Sequence, residues 1–501
     1  MTAQSTAAQE MSLEIRAELG RLLEEDQATA VRETHSAIVV LFGDRAYKLK
    51  KPVDLGFLDF RDVESRRAVC LRELALNRRL APDVYLDVAT VSGSDGVPSD
   101  YLVVMRRMPE SVRLSTMIRS GIAVEDHVRR LARLVARFHA GAARGADITA
   151  EGSAEALLRR WQANLLETER FRGGLLDASD HAELADLVER YVTGRAPLLA
   201  ERGEQGLVVD GHGDLIADDV FCLPDEPRVL DCLEFDDRLR WLDVLDDAGF
   251  MAMDLERLGR PDLAAEFLRW YAEYSGWPYV RSLAHHYMSY RAFVRAKVSC
   301  LRAGQGDRSS IEDVAAYVDL ALAHARAAEV RLVLVGGAPG SGKSTLAAGL
   351  ADRLGGVLLS TDRVRRELAG VAAADRYTDE GKRAAYDELL RRAADALGHG
   401  ETVLLDATWG DPAERAAAAA VADRTSSLLH ALECRVDPGV AVGRARRRLA
   451  AGSDPSEADA EVARMLAATR ADWPDATGIG TGVDPEMSLA VAWTSLTSAG
   501  T

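Results

Sequence analysis

The amino-acid sequence predicts an α/β multidomain protein in which an α+β domain precedes an α/β/α sandwich built on a parallel sheet. A chain of 501 residues is long for one domain, because domains typically hold about 100–200 residues. Residues 331–436 alternate short apolar runs with helical stretches, which is typical of a parallel sheet with right-handed crossovers. Residues 31–50 are β-branched and aromatic around a Gly-Asp turn, which indicates hairpin strands.

Composition and charge disfavour several classes of protein. Hydrophobic residues make up 48% and charged residues 28%, so each domain can bury an ordinary core. The net charge of −17 repels polyanions and disfavours nucleic acid and anionic membranes as partners. The five cysteines lack metal-ligand spacing and indicate buried thiols in a reducing compartment. Because no leader or membrane-spanning run is evident, we expect a cytoplasmic protein.

The first part of the chain predicts a small β-rich lobe followed by a helical one. The segments are hairpin strands at 31–50, a helix within 60–80, a strand at 100–108, helices within 125–200, short strands and loops at 206–235, and helices within 242–328. We therefore expect a first domain over residues 1–328, with a small lobe of about 30–110 and a large lobe of about 111–328.

The second domain is expected over residues 329–501. Its predicted strands are 331–335, 357–360, 402–406 and 430–436. In such sheets ligands bind at the carboxyl ends of the strands, so polar residues that follow these runs are the candidates for chemistry.

The strongest motif is "GGAPGSGKST", which fits G-x-x-x-x-G-K-[ST] between an apolar strand and an amphipathic helix. Its glycines let backbone N–H groups surround phosphate oxygens, while Lys343 reaches the β- and γ-phosphates and the hydroxyl of Ser344 contacts Mg²⁺. A plain glycine-rich turn is the weaker alternative. The predicted nucleotide-binding residues are Gly337, Gly340, Ser341, Gly342, Lys343, Ser344 and Thr345.

The run "LLSTDRVRREL" places Asp362 at the end of the second strand, which we expect beside the strand of the phosphate cradle. Asp362 is the candidate catalytic base for an attacking hydroxyl, with Arg363 or Arg366 binding an anionic acceptor or a phosphate. The alternative role for Asp362 is that of a helix N-cap, and the two roles are compatible.

The strand in "ETVLLDATW" ends at Asp406, with Thr408 just after it. A carboxylate at this position beside the cradle is expected to hold Mg²⁺ directly or through water. The alternative is an aspartate that only shapes the turn.

An arginine-rich helix follows in "GRARRRL", where Arg444, Arg447 and Arg448 share one face. Arginines on a mobile lid can neutralise the charge that phosphoryl transfer spreads over the equatorial oxygens, so Arg444 and Arg448 are candidate catalytic residues. A solvated charge cluster explains the same pattern equally well.

These stretches together resemble the small-substrate P-loop kinases of the polynucleotide-kinase, gluconate-kinase and zeta-toxin type. The resemblance covers about residues 330–480. It implies transfer of the γ-phosphoryl group of ATP to a hydroxyl, with Asp362 as the base and Lys343 on the phosphates. It leaves the acceptor undetermined.

A second constellation lies in the first domain, around "DGHGDLIADDVF" and "RVLDCLEF". Asp214 is the candidate catalytic base, and Asp219 and Asp231 are candidate metal ligands. Upstream, Lys48 is placed to reach the nucleotide phosphates and Glu73 to fix that lysine by an ion pair. Any one of these residues alone is explained by a turn, a cap or a solvated acidic loop. All of them, however, occur in the order that a phosphotransfer site requires.

Residues 30–300 therefore resemble the aminoglycoside-phosphotransferase family, a branch of the protein-kinase-like fold, and the whole chain resembles bacterial two-domain proteins that join such a module to a P-loop kinase. Three departures are evident. Asp219 replaces an asparagine and adds negative charge beside the phosphates, Ile216 stands where histidine is common, and "ETHSA" at 33–37 replaces a glycine-rich loop.

Three functional hypotheses follow. In the first, two ATP- and Mg²⁺-dependent phosphotransferase sites act on hydroxyls of small molecules. In the second, the first domain is a pseudokinase or ligand sensor that controls the P-loop kinase. In the third, the P-loop domain is a nucleotide switch coupled to a protein partner. The acidic segment 236–247 suits a polycationic acceptor, and metal binding or helix capping explains it equally well.

Overall fold

The computed structural model of the chain describes residues 30–33, 37–52, 60–92, 98–368, 378–451 and 471–498. They form two compact units, each made of two stretches of sequence. The first unit combines Met1–Gly152 with Gly203–Tyr279, and the second combines Ser153–Arg202 with Val280–Thr501.

The strands, numbered along the chain, belong to two five-stranded sheets and two short two-stranded sheets. They are β1 (Ala30–Glu33), β2 (Ala37–Phe42), β3 (Arg45–Lys50), β4 (Tyr85–Ser92), β5 (Pro98–Arg106), β6 (Val208–Asp210), β7 (Val220–Cys222), β8 (Pro227–Val229), β9 (Trp241–Asp243), β10 (Arg331–Gly336), β11 (Val357–Ser360), β12 (Val403–Asp406), β13 (Leu428–Arg435) and β14 (Thr477–Gly480).

The α-helices are numbered in the same way. They are α1 (Val63–Asn77), α2 (Leu114–Arg119), α3 (Glu125–Gly141), α4 (Ala146–Ala150), α5 (Ala154–Thr168), α6 (Ala178–Gly194), α7 (Ala196–Glu204), α8 (Val244–Arg257), α9 (Pro261–Ser275), α10 (Arg281–Gly304), α11 (Ser310–Ala327), α12 (Lys343–Leu354), α13 (Thr361–Glu367), α14 (Asp379–Gly398), α15 (Pro412–Arg424), α16 (Pro438–Ala451) and α17 (Pro485–Ser498).

The first unit carries an antiparallel sheet with strand order β1-β2-β3-β5-β4. Helix α1 lies between β3 and β4 in sequence and begins at the cap Asp62, whose carboxylate accepts the N–H of Ser65. Its buried Cys70 and Leu74 pack on the sheet against Val103. This strand–helix–strand arrangement agrees with the protein-kinase-like fold predicted from the sequence.

Helix α8 is the most buried helix of the first unit. Residues 244–255 along it are all buried, and they include Asp246, Asp247 and Asp254. Asp243 caps its N-terminus by accepting the N–H of Leu245 at 2.8 Å. The acidic residues of its first turn are therefore held inside the protein instead of facing solvent.

The second unit is built on a parallel sheet with strand order β11-β12-β10-β13-β14. Its core joins the sheet to α12 and α17 through Val333, Leu350, Leu404 and Leu496. The predicted parallel sheet is thus confirmed. Strand β14 was not predicted, because "TGIG" has too few large apolar residues to stand out.

Helices from two earlier segments complete the second unit at the amino ends of its strands. The hydroxyl of Ser282 donates to the carbonyl of Gly400 at 2.8 Å, three residues before β12. The guanidinium of Arg195 donates to the carbonyl of Thr425, just before β13. This division differs from the expected boundary at 328, because α5, α6, α10 and α11 belong to the same unit as the parallel sheet. The boundary between two functional domains at 328 remains a prediction.

Among the described residues, no helix has both the length and the apolar character that crossing a membrane would require.

Candidate active sites

In the first unit, strand β3 and helix α1 bring together the predicted phosphate lysine and its anchor. Lys48 Nζ lies 2.8 Å from Glu73 Oε1 and 2.5 Å from Asp231 Oδ1. The carboxylate of Glu73 is completely buried. Burial by itself would raise the pKa of Glu73, but the ammonium groups of Lys48 and Lys50 overcome that effect and lower it. Glu73 is therefore an ionised anchor inside the protein.

The structure also distinguishes between the lysines of "YKLKK". Lys50 is buried, with only 1% of its side chain exposed, and pairs with Glu73 Oε2 at 2.7 Å and with Glu234 Oε1 at 2.5 Å. Lys48 retains 12% exposure and contacts the half-exposed Asp231. Lys48 is therefore the lysine of this pair that remains accessible to a nucleotide.

The loop that carries the predicted base Asp214 is held by the carboxylate of Asp247, a residue of the buried helix α8. Asp247 Oδ2 accepts the backbone N–H of His212 at 2.6 Å, and Asp247 Oδ1 accepts that of Gly213 at 3.0 Å. His139 adds a third contact to Oδ2 at 3.1 Å. Burial opposes ionisation of Asp247, but the hydrogen bond and charge of His139 hold its pKa well below the usual range.

His212 is fixed inside the same loop. Its Nε2 lies 3.1 Å from the carbonyl O of Leu230, and its Nδ1 accepts the N–H of Asp214 at 3.3 Å. Burial lowers the pKa of His212 to about 4, so the imidazole is neutral at physiological pH. His212 therefore orients the loop and does not supply a positive charge.

The predicted metal ligand Asp231 adopts a left-handed backbone conformation, with a φ of 63°. The conformation is maintained by neighbours, since its N–H donates to Tyr85 Oη at 3.2 Å and the next N–H, of Cys232, donates to Asn77 Oδ1 at 2.8 Å. A non-glycine residue in this region is uncommon and is often found at functional sites.

Asp219, the residue that departs from the family pattern, lies near other carboxylates. Burial, together with the negative charges of Asp231 and Asp214, raises the pKa of Asp219 well above its usual value. The positive charge of the Arg113 guanidinium acts to lower the pKa of Asp219, and the same group donates a hydrogen bond to the carbonyl of Asp218. Arg113, which no motif in the sequence indicated, thus partly offsets the added negative charge.

The acidic segment 236–247 has internal roles that do not require a cationic acceptor. Asp236 caps a short helical turn by accepting the N–H of Arg238 at 2.9 Å. Asp237 pairs with Arg72 and with Arg240. Together with Asp243 and Asp247, these contacts favour the capping explanation for the acidity of this segment.

In the second unit, the predicted phosphate cradle connects β10 to α12, which begins at Lys343. Gly337, Gly340 and Gly342 have φ values of 153°, 81° and 90°. Two features of Gly340 disfavour any larger residue: its φ is positive, and a Cβ would overlap the carbonyl O of Ala441. These conformations turn the loop around its own N–H groups at the positive end of a helix, as anion binding requires.

Asp406 ends β12 in register with Val335 of β10 on one side and with Ser360 of β11 on the other. It is therefore buried beside the cradle, where the sequence predicted it. The sequence predicted that β11, the strand that precedes Asp362, lies next to the cradle strand β10. It does not, because β12 lies between them. Both aspartates still lie at the carboxyl edge of the sheet.

Asp362 is the second residue of α13 and not its cap, since the N-cap position is occupied by Ser360. Asp362 Oδ1 instead accepts a hydrogen bond from Arg365 Nη1 at 2.9 Å. Arg365 is thus the arginine that contacts the predicted base, whereas the sequence predicts Arg363 or Arg366 as the arginine that binds an anionic acceptor or a phosphate.

Beyond Asp406 the chain is held by Tyr386 of α14. Its hydroxyl lies 3.1 Å from Thr408 Oγ1 and accepts the N–H of Trp409 at 3.3 Å. Trp409 is fully buried and has a φ of 50°, which is unusual for a large side chain. The hydroxyl of Thr408 is therefore fixed close to the end of the strand that carries Asp406.

A cavity of about 360 Å³ opens on the other side of the cradle. Its lining includes Gly342 and Thr345 from the cradle and Val483 from the segment after β14. Arg444 also lines it and donates to the carbonyl of Thr481 at 3.0 Å. The side chains of Arg447 and Arg448 lie outside the described residues, as do residues 34–36 of "ETHSA" and the segment 452–470.

Within the described ranges, no group of three or more histidine, cysteine or acidic side chains is arranged to hold a metal ion by itself. Sites that bind Mg²⁺ together with substrate phosphates need only one or two carboxylates from the protein. The metal ligands expected from the sequence, Ser344 with Asp406 and Asp219 with Asp231, therefore stay predictions.

Comparison with known proteins finds a family match within the second unit and a relative that is similar along most of the chain. The AAA domain family matches residues 332–471, which include the cradle, Asp362 and Asp406. The uncharacterized protein Rv2004c of Mycobacterium tuberculosis is 44% identical over 472 residues, which cover 92% of this chain and 94% of that protein.

Two solved structures are similar to separate parts of the chain. A putative kinase from Chloroflexus aurantiacus has 22% identity and a TM-score of 0.28, and covers 34% of this chain and 97% of its own. The GDP and kanamycin complex of APH(2")-IIia has 18% identity and a TM-score of 0.39, and covers 59% of this chain and 93% of its own.

Proposed function

We propose that this chain, which belongs to the same protein family as Rv2004c of Mycobacterium tuberculosis, is an ATP-dependent phosphotransferase with two sites that act on hydroxyl groups. The observation that carries the proposal is the cradle of the second unit. There, three glycines with positive φ precede the helix that begins at Lys343, and Asp406 lies in register beside the cradle strand.

In the second unit, the backbone N–H groups of the cradle and the ammonium of Lys343 are proposed to bind the β- and γ-phosphates. Asp362 then accepts the proton of the acceptor hydroxyl as its oxygen attacks the γ-phosphorus. Arg365 holds Asp362 in place through the hydrogen bond at 2.9 Å. Arg444 and the cavity beside Thr481 are placed to contact the rest of the nucleotide.

In the first unit, Lys48 is proposed to bind nucleotide phosphates and Asp214 to accept the proton of its own acceptor. Asp247 holds the loop of Asp214 by accepting two of its backbone N–H groups. A loop held in this way supports an active site over a sensor, since general-base catalysis needs preorganised geometry.

Magnesium fits both sites by the chemistry of their donors. In the second unit the candidates are the carboxylate of Asp406 and the hydroxyl of Ser344, and in the first unit they are Asp219 and Asp231. When bound, Mg²⁺ neutralises phosphate charge and orients the γ-phosphoryl group.

The test is incubation of the purified full-length chain with ATP, Mg²⁺ and a metabolite extract, followed by mass spectrometry for products heavier by one phosphoryl group. Loss of every such product in Lys343→Ala together with no change in Asp214→Ala would leave a single kinase and support the sensor hypothesis for the first unit. Products that disappear separately in the two variants are expected, and would establish two active sites.

A further inference from the structure

The carboxylate of Glu73 is shared between two lysines, and this sharing has a consequence for the proposed nucleotide site of the first unit. Lys48 and Lys50 are two residues apart on β3, and residues two apart on a strand point to the same face of the sheet. Both side chains therefore lie on the face that meets α1. Lys48 occupies Glu73 Oε1 at 2.8 Å, and Lys50 occupies Oε2 at 2.7 Å. Each oxygen of the buried anchor thus has its own ammonium partner.

Each lysine also contacts a different acidic residue of the segment 231–234. Lys48 pairs with Asp231, the proposed metal ligand, at 2.5 Å, while Lys50 pairs with Glu234 at 2.5 Å. The first contact involves a half-exposed aspartate, whereas the second is nearly excluded from water, with exposures of 1% and 11%. The contact through Lys50 is therefore the one better protected from water, and the contact through Lys48 is the one more open to exchange.

This difference matters when a nucleotide arrives. To bind phosphates, Lys48 has to leave Asp231, which becomes available to Mg²⁺ at the same time. If Lys48 were the only partner of Glu73, this movement would leave the buried negative charge of Glu73 without a nearby positive charge. An unpaired buried charge strongly destabilises a protein. Lys50 keeps Glu73 paired throughout, because its own contacts do not involve the exposed aspartate.

We propose that Lys50 is a positioning residue that takes over the structural ion pair of Glu73 and thereby frees Lys48 for the nucleotide. The inference rests on the proposed nucleotide site of the first unit. It assigns to Lys50 a role that the predicted site of Lys48, Glu73 and Asp231 does not include, and it gives Glu234 the role of holding Lys50 in place.

The test uses an acyl-phosphate derivative of ATP on the full-length chain, read by peptide mass spectrometry. In this probe a lysine near the phosphates attacks the acyl carbon, an amide forms, the acyl–phosphate bond breaks, and the nucleotide leaves with the phosphate oxygen. The amine proton goes to solvent. Labelling of Lys48 reports the first site, and labelling of Lys343 in the same sample is an internal standard for the second.

In Lys50→Met we expect labelling of Lys48 to fall about tenfold or more, because Lys48 is then the only ammonium paired with Glu73. Lys50→Arg keeps the charge and is expected to restore labelling to within about twofold of the wild type. Labelling of Lys343 should stay unchanged in both variants. Arg137→Met, which removes an exposed pair with Glu226 in the same unit, is the control for loss of a cation.

The outcomes separate the inference from the function on which it rests. Undiminished labelling of Lys48 in Lys50→Met, or equal loss in Lys50→Met and Lys50→Arg with unchanged thermal unfolding, would overturn the role of Lys50. Absence of labelling at Lys48 in the wild type, with Lys343 labelled, would instead overturn the nucleotide site of the first unit and the inference with it.

Discussion

Asp247 accepts the backbone N–H of His212 at 2.6 Å from inside the first unit, where neither the aspartate nor the histidine side chain is exposed. A carboxylate from α8 thus sets the conformation of the loop that carries Asp214, thirty-three residues away in sequence. The loop is part of the folded core and not a surface turn.

Replacing Asp247 by Ala should therefore destabilise the first unit by about 3 kcal/mol, because two buried N–H groups and His139 lose their partner. Chemical denaturation measures the change. The matched control is Asp236→Ala, where an exposed cap is lost and the expected cost is under about 1 kcal/mol. Similar costs for the two variants would contradict the buried role of Asp247.

Asp362→Asn should lower the rate of phosphoryl transfer by the second unit about 10²- to 10⁴-fold while leaving ATP binding intact, since the amide cannot accept the acceptor proton. The readouts are product formation in the extract assay and the Kd for ATP. Asp379→Asn alters a carboxylate that is 98% exposed and should change neither. A transfer rate in Asp362→Asn equal to that of the wild type would remove Asp362 as the base.

Gly340→Ala should weaken ATP binding at the cradle by about tenfold or more, because the new Cβ requires a strained positive φ and overlaps the carbonyl of Ala441. Binding is measured by calorimetry in a chain whose first site carries Lys48→Met. Gly480→Ala is the control, since Gly480 is exposed and has open space around its Cβ position. Retained affinity in Gly340→Ala would mean that the cradle does not need its observed conformation.

The stability of the second unit should fall as the pH drops below 6.5, because burial lowers the pKa of His286 to about 3. The unfolded chain takes up a proton near pH 6.5, whereas the folded chain resists it, so each lower pH unit favours unfolding. Between pH 7.5 and 5.0, this histidine should remove about 2 kcal/mol of stability.

His286→Gln lacks that titration, so its unfolding free energy should change about 2 kcal/mol less than that of the wild type over the same pH range. The variant also loses the contact with Trp161 Nε1 at 3.2 Å and is expected to be less stable at pH 7.5. Parallel pH profiles for the two proteins would show that His286 is not the group responsible.

Gly194→Ala should destabilise the second unit by about 1–3 kcal/mol, because a Cβ at this helix end would overlap the carbonyl of Thr425. Thermal unfolding measures the effect. Gly141→Ala changes another helix-terminal glycine, one with open space around it, and should be close to neutral. Equal behaviour of the two variants would argue that α6 does not pack closely against the residues that precede β13.

The local parts of both sites were predictable because a short stretch of sequence contains all of their geometry. The cradle is one loop between one strand and one helix, so Gly337–Lys343 could be assigned from spacing alone. The strand-end position of Asp406 followed from an apolar run of ordinary length. Asp362 was placed at the correct edge but one strand too close, since strand order is not encoded in any single segment.

The sequence by itself determined the class of each module, the phosphate cradle and the order of Lys48, Glu73, Asp214 and Asp231, because these depend on local spacing and on the residues that a chemistry requires. Only the tertiary structure decided that Asp247 holds the loop of Asp214, that Lys50 shares Glu73, that Arg365 contacts Asp362, and that α5, α6, α10 and α11 join the parallel sheet. The physical reason is that buried charges and polar groups are satisfied by whichever partners folding brings near them, and most of those partners are remote in sequence.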